Sequence, residues 1–322
     1  MKSMFTSRKV VIIGAGAVGS SFAYALAQRG IADEIALSDI NRDYAEGQVL
    51  DLAHGLPFYP KVQIKVGTSQ DYGDASVIVI TAGAKQAPGE SRLALLQKNA
   101  AMIENIMDEI VAQKSRAVVV IASNPVDILT HVAIKRSGWP KTRIIGSGTV
   151  LDSSRFRYLL SKHCNVDVSN VHAYILGEHG DSEFPAWSMT HVGGIPIDQY
   201  CPQCATCGNW QIERDDIARQ VKDSAYHIIN YKGATYYAIG MALVRITAAI
   251  LQDQNSVLTV STLLEGEYGL KEVCLSIPAM IGKEGIKRIV EARLPAQEQA
   301  LLEKSAETLR KSFAELAQTQ PA

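Results

Sequence analysis

Val10-Val-Ile-Ile13-Gly14-Ala-Gly16-Ala-Val18-Gly19 is the stretch on which the reading of the fold turns. Four consecutive apolar residues read as a strand buried on both faces, the habit of a parallel sheet. The G-x-G-x-x-G that follows turns the chain into a helix ending near Gly30, a suitable residue for a left-handed cap. A second strand, Glu34 to Ser38, stops at Asp39, about 20 residues beyond the last glycine. In that context each glycine has a physical task. Gly14 allows the tight turn, Gly16 lets the backbone approach a pyrophosphate, and Gly19 lets the helix pack on the strand. The helix N-terminus offers free N–H groups to phosphates. Asp39 would accept hydrogen bonds from ribose hydroxyls and repel a 2′-phosphate, which favours NAD over NADP.

Outward from this unit the alternation continues. Val77 to Thr81 reads as a strand, Leu93 to Gln113 as a helix, and Ala117 to Ala122 as a strand. Pro125 then opens a helix from Val126 to Ser137 that Gly138 closes. The expected fold class is therefore α/β, a Rossmann doubly wound parallel sheet. The strand ends Thr81-Ala-Gly83 and Ala122-Ser-Asn124 should complete the cofactor face, with Asn124 offering an amide at the nicotinamide end. After about Ser147 the pattern changes. Long helices over Ile212 to Asn230 and Tyr236 to Leu251 accompany alternating strands at Val257 to Thr262 and Val273 to Ile277, as in antiparallel sheet. Leu302, Ala306, Leu309, Phe313 and Leu316 fall at helical spacing in a closing helix expected to dock on its own domain. The expected division is a dinucleotide-binding domain over 1–147 and an α+β substrate domain with antiparallel strands over 148–322.

The chain has 322 residues, 47% of them hydrophobic and 20% charged, which suits two packed globular domains. A net charge of −1 leaves no electrostatic footprint for nucleic acid or an anionic membrane. Basic residues within Met1 to Lys9 are followed by no apolar run of signal-peptide length, and no stretch approaches a membrane span, so a cytoplasmic location is expected. Five cysteines, odd in number, fit a reducing compartment. Cys201, Cys204 and Cys207 form a C-x2-C-x2-C run suggestive of metal chemistry. Gly208 to Gln211 supply no fourth ligand, and His191, His227 or Cys164 would have to fold back to complete a site. No metal is expected, and the thiols read as part of a surface loop.

A dinucleotide site implies hydride transfer without naming the acceptor. A 2-keto acid needs a proton donor, a cation to polarise its carbonyl and a planar cation for its carboxylate. Ala87-Pro-Gly-Glu-Ser-Arg92, Leu151-Asp-Ser-Ser-Arg155 and Gly177-Glu-His-Gly-Asp181 contain candidates for each. Taken singly, Asp152 and Arg155 would read as a helical salt bridge, and His179 between glycines as a turn residue.

Together with the glycine turn and Ser123-Asn-Pro-Val-Asp127, these stretches resemble the lactate/malate dehydrogenase family in order and spacing from Lys9 to Phe313. The resemblance implies that His179 is the acid/base, that Asp152 orients it and favours its imidazolium, and that Arg155 clamps the substrate carboxylate. Arg92 matches the arginine of a closing loop, and Asn124 and Thr235 match residues that bond or border the substrate. It adds Val18, Ala84, Asn105, Ala122, Ser123 and Ser147 to Gly14, Gly16, Gly19, Asp39, Gly83 and Asn124 as cofactor-contacting positions. Malate-specific members carry an arginine where Gln86 stands; a neutral glutamine would leave a second carboxylate unpaired, so pyruvate and L-lactate are the expected substrates. Lys85 is adjacent and should point elsewhere on the loop. A dehydrogenase of malate or a bulkier 2-hydroxy acid is the alternative. A non-catalytic protein on this fold would be expected to have lost His179, Asp152, Arg155 and Arg92. Arg157 and His172 coincide with positions that bind fructose 1,6-bisphosphate in allosteric bacterial members, and the family precedent implies a homotetramer.

Overall fold

The computed structural model describes residues 8–84, 89–204 and 207–318. The first half runs β1 (Lys9–Ile13), α1 (Ala17–Arg29), β2 (Glu34–Ser38), α2 (Arg42–His54), β3 (Gln63–Val66), β4 (Val77–Ile80), α3 (Arg92–Ala112), β5 (Val118–Ile121), α4 (Val126–Ser137) and β6 (Ile144–Gly146). The six strands are parallel in the order β3-β2-β1-β4-β5-β6. β1, β4 and β5 are buried along their whole length, which is why they read as unbroken apolar runs. Gly30 and Gly138 end α1 and α4 at φ 61° and 64°, in the left-handed region that glycine reaches without steric cost.

α5 (Val150–Cys164) leads into short strands β7 (Val171–His172), β8 (Ile175–Leu176), β9 (Phe184–Pro185), β10 (His191–Val192) and β11 (Ile195–Pro196). Then come α6 (Ile197–Tyr200), α7 (Trp210–Lys232), α8 (Tyr237–Leu251), β12 (Ser256–Glu265), β13 (Lys271–Gly282), β14 (Gly285–Ile289) and α9 (Ala296–Gln318). β12 and β13 pair antiparallel as expected and β14 extends them, but Val273 to Ile277 is buried throughout instead of alternating. They do not stand apart, however: β12 pairs with β6 through Ser261 and Gly146, giving one nine-stranded sheet. A Cβ on Gly146 would lie 2.7 Å from that of Ser261, so the join depends on a residue without a side chain.

Two apolar clusters cover the faces of the sheet. One packs Ile103 and Met107 of α3, Leu129 of α4 and Leu302, Ala306, Leu309 and Leu316 of α9. The other packs Phe22 and Leu26 of α1 with Leu243 and Ile246 of α8, so a late helix covers the early glycine turn unit. A third cluster joins Phe156 and Leu160 of α5 to Ile217 and Val221 of α7.

Candidate active site

At the end of β1 the chain makes the glycine turn. Gly14 has φ 106°, and a Cβ there would sit 2.5 Å from the backbone nitrogen of Ala82. A Cβ on Gly19 would run into the Gly14 carbonyl, so α1 lies directly on the turn. Gly16 faces open space; it caps α1 with extended backbone and no side-chain bond to the first turn. The first-turn N–H groups and that open cradle fit a pyrophosphate. Val18 follows in the first turn of α1 and is partly buried. Asp39, just after β2, accepts from the Ala15 N–H at 2.8 Å and the Asn41 N–H at 3.0 Å. α2 is capped by Asn41, which leaves Asp39 beside the turn instead of serving as a helix cap.

The remaining expected cofactor positions also gather at the C-terminal ends of parallel strands. Gly83 and Ala84 follow β4, Ala122, Ser123 and exposed Asn124 follow β5, and buried Ser147 follows β6. The Ser123 hydroxyl donates to the Ala82 carbonyl and ties two strand ends together. Buried Asn99 of α3 ties them again: it accepts from the Ala84 N–H at 2.9 Å and donates to the Asn124 carbonyl at 3.0 Å. No sequence motif marked Asn99. Asn105 lies on the exposed side of α3.

His179 sits on the loop between β8 and β9, and three elements fix that loop. Gly177 exchanges backbone bonds with Ser276 of β13 at 3.0 and 2.8 Å. The Ser305 hydroxyl of α9 accepts from the Glu178 N–H at 2.6 Å. Asp127, on the first turn of α4, accepts from the His179 N–H at 2.8 Å. Asp127 closes the Ser123-Asn-Pro-Val-Asp127 stretch, whose pattern alone does not reveal this contact.

The His179 ring is held by Asp152, on the first turn of α5 and 1% exposed in its side chain, with Nδ1 to Oδ2 at 2.6 Å. The other Asp152 oxygen binds Arg155 Nη1 at 2.5 Å. The helical salt bridge and the proton partner are thus one carboxylate serving two cations. Burial pulls the His179 imidazolium toward deprotonation, but the Asp152 charge and hydrogen bond outweigh it and raise the pKa to about 9. Burial opposes the Asp152 anion as well, and the His179 charge overcomes it and lowers that pKa.

No sequence motif marks Glu183. It is buried, and its carboxylate lies within 4.8 Å of the functional atoms of Asp152 and His179. Burial, then repulsion from Asp152, pushes its pKa up to about 8, which favours the protonated acid beside the ion pair. With Arg155 and the imidazolium already answering Asp152, this group is poorly disposed to hold a metal cation.

Arg92 is the first residue of α3 and, together with Asp181, Glu183 and Lys222, lines a cleft of about 800 Å³. Gln86 and Lys85 lie outside the described residues. Thr235 is half-buried in the link between α7 and α8. Arg157 is on α5, its Nη2 3.5 Å from the Val168 carbonyl and its Nε buried without a hydrogen-bond partner among the described residues. His172 is exposed on β7, opposite His191. Away from these groups, Cys201, Cys204 and Cys207 converge on His163 of α5, a fourth donor that local spacing did not offer.

Residues 8–146 match the family described as lactate/malate dehydrogenase, NAD binding domain, and residues 149–320 match its alpha/beta C-terminal domain. A Treponema denticola protein named L-lactate dehydrogenase is 56% identical over 96% of this chain and 98% of its own. One from Acetivibrio thermocellus, with the same name, is 50% identical over 94% of this chain and 95% of its own. Among solved structures, minor L-lactate dehydrogenase from Enterococcus mundtii in its ligands-bound form has a TM-score of 0.94 at 41% identity, over 99% of this chain and 100% of that one. Its ligands-unbound form gives a TM-score of 0.89, again at 41% identity, over 98% of this chain and 99% of that one.

Proposed function

The chain belongs to the lactate/malate dehydrogenase family, and from this we propose that it catalyses reversible, NAD-dependent interconversion of pyruvate and L-lactate. The observation that carries the reading is the Asp152–His179 pair with Arg155 on the same carboxylate. NAD is the cofactor, and when bound it supplies or accepts the hydride. Its pyrophosphate belongs at Gly14, Gly16 and Gly19, its ribose at Asp39, and its nicotinamide end near Ala122, Ser123 and Asn124, with Val18, Gly83, Ala84, Asn105 and Ser147 around it.

The rest of the chemistry falls to the chain's own side chains. Arg155, anchored at Nη1 by Asp152, presents its other guanidinium N–H groups to the substrate carboxylate. With Nδ1 committed to Asp152, His179 gives the proton on Nε2 to the carbonyl oxygen as the alcohol forms. In lactate oxidation the neutral ring takes that proton back. Arg92, brought in by its loop, polarises the carbonyl and helps exclude water, while Asn124 and Thr235 border the substrate.

The preference for pyruvate over oxaloacetate rests on the neutral Gln86 and on the names of the relatives. NADH oxidation should give the higher kcat/KM with pyruvate, and a higher value with oxaloacetate would refute the assignment.

We assign Arg157 and His172 to a fructose 1,6-bisphosphate site between copies of a homotetramer. The buried Nε of Arg157, without a partner among the described residues, supports a missing acceptor, and exposed Phe58, Tyr231 and Tyr237 support burial against further copies. Added bisphosphate should lower the pyruvate KM at neutral pH; unchanged saturation curves would refute the effector role. No helix is long and apolar enough to cross a membrane among the described residues. All five cysteines are unbridged, which supports a reducing, cytoplasmic setting.

A further inference from the structure

The cysteine run is unused by the chemistry above. Its first member, Cys201, is fully buried at the end of α6; Cys204 and Cys207 follow at the surface, half-buried. The Cys204 N–H donates to the Cys201 carbonyl at 3.2 Å and the Cys207 N–H to the Cys204 carbonyl at 3.4 Å. The three sulfurs lie close together, and facing them is His163, next to last in α5. One donor atom from each of the four residues lies within 4.8 Å of all the others.

The separations discriminate between chemistries. Cys201 Sγ is 3.9 Å from Cys204 Sγ and 3.4 Å from His163 Nε2. A disulfide would bring two sulfurs to about 2.05 Å, so the first distance is not a bond. A tetrahedral zinc, with bonds of about 2.3 Å to sulfur and about 2.0–2.1 Å to nitrogen, spaces its sulfurs about 3.8 Å apart and sulfur from nitrogen about 3.5 Å. Those are nearly the edges found here. An iron–sulfur cluster places several atoms between its ligands, and this cage has no room for them. Magnesium and calcium prefer oxygen donors, and three thiols with an imidazole suit zinc.

A second observation points the same way. With Nε2 turned toward the sulfurs, the other ring nitrogen, Nδ1, lies 3.7 Å from Glu213 Oε2 of α7. At 3.7 Å this is an ion-pair contact longer than a hydrogen bond; it favours the N–H on Nδ1 and leaves Nε2 as the donor to a metal, in the sense of the carboxylate–histidine pairs found at zinc sites.

We propose that His163, Cys201, Cys204 and Cys207 bind one structural Zn2+. Four protein ligands leave no open position for substrate, so the ion has a structural role and takes no part in the reaction. Binding displaces three thiol protons to solvent and takes His163 as the neutral ring. The ion fastens the C-terminal end of α5, the helix that carries Asp152 and Arg155, to the segment leading into α7. α7 in turn reaches the histidine loop, where Lys222 Nζ donates to the Asp181 carbonyl at 3.0 Å. The expectation of no metal rested on the lack of a nearby fourth ligand. His163 lies 38 residues before Cys201, and only the packing of α5 brings it there.

The test uses the full chain, purified under reducing conditions without chelator and analysed for metal by plasma mass spectrometry. One zinc per chain is expected. It should be lost in Cys204→Ser and in His163→Ala and kept in Cys274→Ser, which alters a buried thiol of β13. Cobalt added to the chelator-treated wild type should give the visible bands of a tetrahedral thiolate site, saturate at one equivalent and be displaced by zinc. Chelation should lower the melting temperature of the wild type and leave that of His163→Ala unchanged. Should the cysteine variant fail to fold, the cobalt titration of the wild type decides. No stoichiometric zinc together with a featureless cobalt spectrum would overturn the proposal, as would zinc retained in His163→Ala.

Discussion

Lys9, where β1 begins, and His179, beyond the strands' C-terminal ends, are both cations held against carboxylates, and their environments drive them to opposite ends. Lys9 is 3% exposed and contacts Asp71 and Asp74 at 2.7 Å and Glu34 at 3.4 Å, while Lys65 also binds Glu34 and Asp71. Burial works against its charge, but the surrounding carboxylates prevail and raise its pKa beyond an already alkaline value of 10.5. Asp71 is likewise burdened by burial and is driven far below 3.8 by its two lysines. Neither group changes charge between those two limits. At the other end, burial outweighed by the Asp152 charge brings His179 to about 9, and burial reinforced by repulsion from Asp152 brings Glu183 to about 8. One cluster is locked and the other is poised. The difference lies less in the number of charges than in residue type, since an imidazole starts near neutrality and a lysine does not.

The signs follow from linkage. The raised pKa of His179 gives stability that is fully present below its ordinary 6.5 and is lost as pH rises through about 9. The depressed pKa of Asp71 gives stability present above 3.8 and lost on acidification below it. Between about pH 4 and 6.5 both contributions hold.

Breaking each cluster should therefore have different consequences. His179→Gln should cost about 10²–10⁴-fold in kcat/KM for pyruvate, and at neutral pH it also removes the stability that the raised imidazolium pKa represents. Activity within tenfold of wild type would remove His179 from the proton transfer. Lys9→Met leaves Asp71 and Glu34 short of a buried partner and should destabilise the fold by about 3–5 kcal/mol in denaturant titrations. The folded fraction should turn over normally, and a kcat loss comparable to that of the histidine variant would contradict the contrast.

What could be read from the chain was local. The turn at Gly14, the acid at Asp39 and the cap at Gly138 are each set by residues within one structural unit, and they lie where the sequence placed them. His179, Asp152 and Arg155 were legible as parts of short motifs, and the fold brings them together. The residues that were missed act on distant partners. Asn99 bridges two strand ends, Asp127 holds a loop 52 residues away, and Glu183 acquires its role only through burial beside Asp152. The same limit hid the join of Ser261 to Gly146 and the edge strand β3, four residues with little burial to impose a pattern.

The pH dependence of kcat/KM for pyruvate, compared in wild type and Asp152→Asn, tests the Asp152–His179 pair most directly. The wild-type value should fall tenfold per pH unit above about 9, as the free enzyme loses the imidazolium. In Asp152→Asn the whole profile should drop by about 10²–10⁴-fold and its alkaline limb should move to lower pH. An alkaline limb that stays in place when Asp152 loses its charge would contradict the assignment of the proton to this pair.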